Sequence, residues 1–96
     1  MLDASRMRQE IIRLIDESRE QAYKIAFYSD PTVASIMEKL IAEWERNQQK
    51  GIPLDYASEE ELKAMYTIAV KISETPPHVL MARYLRGLMS TGRKEG

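Results

Sequence analysis

His78 is the one histidine of the chain, and imidazole is the side chain whose ordinary pKa lies nearest neutrality. Glu74 stands four positions before it, but Pro76 and Pro77 fall between and break the helical register that would bring the two together. A metal-binding bundle needs inward carboxylates with Glu-x-x-His repeats on facing helices, which one histidine cannot supply. Cysteine is absent, and with it go a thiolate nucleophile, a Cys-based zinc site and a disulfide framework. Neither a nucleophile elbow nor a Gly-rich phosphate loop with its lysine occurs. The carboxylates stand where helices ask for them: Glu59, Glu60 and Glu61 follow Ser58, and Glu43 and Glu45 flank Trp44. These residues predict a non-catalytic protein with no catalytic residues, no metal, no cofactor and no small-molecule substrate.

The cations offer a different chemistry. Lys and Arg number 14 against 15 Asp and Glu, so the net charge of -1 gives the whole molecule no pull toward nucleic acid or anionic lipid. The distribution is uneven, however. Residues 51–74 carry two basic and five acidic side chains, a balance of -3, whereas residues 75–96 carry Arg83, Arg86, Arg93 and Lys94 against Glu95, a balance of +3. Arg83 and Arg86 lie three apart, on one side of any helix, and the four cations form a nucleic-acid-binding patch able to neutralise a few phosphates. They are equally suited to the negative end of a helix dipole.

The segment around this patch resembles a helix-turn-helix. Ala69, Ser73 and Val79 sit where that motif shows Ala, Gly and Ile or Val, and Ala82-Arg83-Tyr84-Leu85-Arg86-Gly87 is similar to the end of a recognition helix. The likeness covers about 20 residues and departs from the pattern at Glu74 and at the double proline. It implies DNA binding by the last two helices as the alternative function.

The elements that must position these residues are all helices. Four are predicted, at about 5–28, 31–50, 58–74 and 76–90. The first follows from the spacing of Met7, Ile11, Leu14, Ile15, Ala22, Ile25 and Ala26 with no Gly or Pro from Ser5 to Tyr28. Asp30-Pro31 caps and starts the second, which carries Val33, Ile36, Met37, Leu40, Ile41 and Trp44 up to Gly51. Ser58 and Glu61 form a capping box for the third, and Pro76-Pro77 separates it from the fourth, where Leu80, Met81, Tyr84, Leu85 and Leu88 are expected inward. The loop 51–57 should be pinned to the core by Ile52, Leu54 and Tyr56. No period-two alternation or hairpin signal occurs, so the fold class is an all-α, four-helix bundle-like single domain over 1–91 with a polar tail over 92–96.

A first helix of this length would span about 37 Å and overhang its shorter neighbours. Its flanks also carry Ile12, Tyr23, Phe27 and Tyr28, which widen the apolar sector. Met7, Ile11, Ile12, Tyr23, Phe27 and Tyr28 are therefore the expected protein interface, for another protein or for a second copy. The composition, 44% hydrophobic and 30% charged in 96 residues, suits one globular core. No apolar run approaches the roughly 20 residues of a membrane span, so no membrane partner is expected. The first ten residues, interrupted by Asp3, Arg6, Arg8 and Glu10, do not resemble a secretory signal, so a cytoplasmic location is expected. The reading that joins these features is an accessory subunit docking onto a larger protein assembly, one that processes nucleic acid.

Overall fold

The computed structural model describes residues 2–94, with side chains described through Met89. Among these residues there are five α-helices and no strand: α1 (Ala4–Ile11), α2 (Gln21–Ser29), α3 (Pro31–Arg46), α4 (Glu59–Ser73) and α5 (Pro77–Lys94). The all-α, bundle-like fold is as the sequence predicts. The first helix is not. It is divided into α1, a π-helical turn over Ile12–Asp16 and α2, so the long overhanging rod does not exist.

The division has a physical cause in the polar run from Asp16 to Gln21. With no apolar side chain to bury there, packing gives the segment no reason to stay helical, and local polar groups compete for its backbone. The Glu17 N–H reaches the Ile12 carbonyl at 2.9 Å, closing the wide turn. Ile15, within that turn, is buried together with Met7 and Ile11. Ser18 Oγ then accepts from the Glu20 N–H at 3.1 Å, and the Glu20 carboxylate accepts from the Ala22 N–H at 3.3 Å, so α2 starts afresh with its own cap.

The other helix starts follow their sequence signals. Asp30 Oδ1 accepts from the N–H groups of Thr32 and Val33 at 2.9 and 3.1 Å, with Pro31 in the first turn of α3. Ser58 and Glu61 exchange both capping-box bonds, 3.1 and 2.9 Å, at the start of α4. The Pro76 carbonyl accepts from Val79 and Leu80 to open α5.

Two helix ends differ from the sequence reading. Helix α3 stops at Arg46 rather than near Lys50, because Gln48 and Gln49 adopt left-handed conformations at φ 59° and 60°. The Gln49 N–H folds back onto the Trp44 carbonyl at 2.8 Å, and Trp44 Nε1 donates to the Gly51 carbonyl at 3.0 Å. Gly51 itself sits at φ 69°, and a Cβ there would come within 2.5 Å of Asp55 Oδ2. Helix α5 runs to Lys94 instead of ending near Ser90, so Gly92, Arg93 and Lys94 belong to its backbone rather than to a tail; Glu95 and Gly96 lie outside the described residues.

The core is one cluster. Met7, Ile11 and Ile15 meet Leu62, Met65 and Ala69 of α4, with Ala22, Phe27, Val33, Leu40, Leu54, Ile72 and Leu80 completing it. Leu54 enters from a 3-10 turn, Pro53–Tyr56, that packs on α3, and Arg8 Nε donates to its carbonyl at 3.3 Å. Helix α4 touches α1, α2 and α3, whereas α5 packs chiefly on α2. The radius of gyration of 14.5 Å and extents of 42 × 29 × 22 Å are longer than the about 12 Å radius of a spherical chain of this size. No helix of the described residues is long and apolar enough to cross a membrane.

Candidate docking surface

The structure scatters the residues predicted as an interface. Met7, Ile11 and Phe27 are at most 2% exposed and belong to the core, while Ile12 and Tyr23 are half-buried against it. Tyr28 alone among them is exposed, and its ring meets Phe27 edge-on at 5.0 Å. The Tyr28 hydroxyl donates to Asp16 Oδ1 at 2.6 Å and ties the end of α2 to the π turn. Partial burial of the phenol, and then this bond, hold it above its ordinary pKa, so it serves as a protonated donor. With no rod there is no overhang, and the wide apolar sector of residues 7–28 is explained by burial on several sides.

The surface without a covering helix lies elsewhere. Because α5 leans on α2 and meets α4 only weakly, a groove of about 690 Å³ opens between α4 and α5. Ile68 and Ile72 of α4 and Leu80 and Leu88 of α5 form its apolar walls, and Ala26 and the α2–α3 junction at Ser29, Asp30 and Pro31 also line it. Lys71 and Arg83 stand on it, one from each helix. Both are exposed, and among the described residues neither side chain makes a hydrogen bond or ion pair. The one lining carboxylate, Asp30, is engaged in the cap of α3.

Beside the groove, α5 carries a second apolar face that meets it at Leu88. Leu85, Leu88 and Met89, at spacings of three and four, share one face and are 53%, 54% and 66% exposed. Together they present on the order of 300 Å² of apolar surface, a size at which patches on monomers are often functional. The sequence reading placed Leu85 and Leu88 inward and passed over Met89. A usable signal was present: Leu85, Leu88 and Met89 extend the stripe past Tyr84, and among the described residues no helix follows α5 to cover it.

Arg83 and Arg86 are exposed on α5. Arg93 and Lys94 lie on the same helix, and their side chains fall outside the described residues. In the helix-turn-helix likeness the first turn of the second helix would face DNA, but here Leu80 is buried and Val79 and Met81 are half-buried. His78 is exposed in the same turn, and Glu74 ends α4. Among the described residues no three His, Asp or Glu side chains gather as metal ligands. Compared with protein-family models, with curated proteins and with solved structures, the chain matches none.

Proposed function

We propose that the chain is a non-catalytic interaction subunit that docks onto a larger protein assembly through α5 and the groove beside it. One observation carries the reading: three large apolar side chains, Leu85, Leu88 and Met89, stand more than half exposed on one helix face and run into an apolar groove. Retaining such a face in water costs solubility and contributes nothing to this core, so its use is at an interface. The helix-one face expected from the sequence is replaced by this one, because Met7, Ile11 and Phe27 are already occupied in the core.

The test is paired affinity capture from cell extract with the native chain and a Leu85→Ser/Leu88→Ser/Met89→Ser variant, quantified by mass spectrometry. The variant should keep its thermal transition, since the three side chains pack on little. Proteins retained by the native chain and lost by the folded variant are the expected result. Identical capture profiles overturn the reading.

A further inference from the structure

Resting on that reading, we infer that the groove between α4 and α5 receives an amphipathic helix of the partner protein whose flanks are acidic. The shape selects a helix. The groove has apolar walls from two helices, and with Leu85 and Met89 beside Leu88 the apolar surface follows α5 from Leu80 to Met89, about 15 Å. A track of that length and openness matches the helix-in-groove mode, in which apolar residues at i, i+3, i+4 and i+7 enter successive positions.

The charge selects the flanks. Lys71 and Arg83 border the groove from opposite helices, and among the described residues neither side chain is ion-paired. Asp30, the lining acid, already accepts two backbone N–H groups. A helix with Glu or Asp beside its apolar stripe would give both cations a partner. A second copy laid α5 against α5 would offer neither cation an acid, because Pro77–Lys94 contains no Asp or Glu.

Fluorescence polarisation with two labelled peptides of about 15 residues, four helical turns, tests this. Both carry the same leucine stripe, one flanked by Glu and the other by Lys. The Glu-flanked peptide should bind about tenfold more tightly, the sum expected of two half-exposed ion pairs, and the difference should shrink as salt rises. The Lys71→Glu/Arg83→Glu variant should reverse the preference, and Leu88→Asp should weaken both peptides. Equal binding of the two peptides, an unreversed preference in the charge variant, or no binding of either peptide overturns the inference. A monomer that becomes a dimer by light scattering, with Leu88→Asp restoring the monomer, also overturns it in favour of a second copy. Failure here leaves the docking reading to its own arbiter, the triple-serine capture profile, which does not depend on flank charge.

Discussion

Replacing Phe27 by Ala separates a core role from an interface role for the residue that the sequence assigns to the surface. Phe27 is 1% exposed and sits among the largest fully buried side chains. Deleting its ring forfeits about 2–3 kcal/mol of transfer free energy. The void left is on the order of 100 Å³; at about 24 cal/mol per Å³ it adds up to about 2 kcal/mol if the walls relax little. The edge-on contact with Tyr28 is lost with the ring, about 1 kcal/mol more, while relaxation of the surrounding walls takes back part of the cavity term. A loss of about 4 kcal/mol is therefore expected, a large share of the roughly 5–15 kcal/mol available to a domain. Urea unfolding followed by the fluorescence of Trp44, the only tryptophan, measures it directly, with circular dichroism as the second probe. The midpoint should fall with an unchanged slope, and the thermal transition should drop by about 16–30 °C. Leu88→Ala, at 54% exposure, should change stability by less than about 0.5 kcal/mol. A loss below about 1 kcal/mol for Phe27→Ala would refute the packing described for α2.

Smaller perturbations address the turns and caps. Ser58→Ala removes the acceptor for the Glu61 N–H and should cost about 1 kcal/mol in the same urea assay. Glu61 is held below the ordinary carboxylate range by the Lys39 ammonium at 2.6 Å and then by the Ser58 N–H, so its contribution is present above its unfolded value near 4.5 and is lost as pH falls through the lower folded value. Thermal transitions of Glu61→Gln should accordingly lie below the native chain at neutral pH and converge with it in acid. Gln49→Gly should raise stability by about 1 kcal/mol, because the native φ of 60° is strained for glutamine, while Gly51→Ala should lower it by about 1–3 kcal/mol through strain and the approach to Asp55.

Much of the fold is legible where a residue's own chemistry decides its conformation. Asp30-Pro31, the Ser58 and Glu61 pair and Pro76-Pro77 start helices in the structure as they do in the sequence, because the cap is local. The break after Asp16 is less legible. Glu, Arg and Gln all favour helices, and neither Gly nor Pro marks the site; what decides it is the want of anything apolar to bury between Asp16 and Gln21. The end of α3 shows the same limit, since two glutamines in left-handed conformations are held by Trp44 reaching Gly51 and by the Tyr56 hydroxyl donating to the Lys50 carbonyl, contacts that propensity does not encode. Which apolar face stays exposed is hard to read for a related reason. Apolar spacing says that Phe27 and Leu88 both want cover, and only the assembled packing says which of them receives it within the chain.

The attachment of α5 to the body chiefly through α2 gives the molecule two levels of protection against hydrogen exchange. Amides of α1 and α4 can exchange only when the common core opens, at the full unfolding free energy. Those of α5 can exchange when that helix alone lifts from α2, taking Leu80 out of the core. The same partial opening presents the bonds after Arg83 and Arg86 to trypsin while the remaining four helices stay folded, so cleavage there should be governed by a local equilibrium well before global unfolding. A ligand seated across α4 and α5 would close that gap by joining α5 to the helix at the centre of the core, and its arrival should slow exchange in α5 far more than in α1.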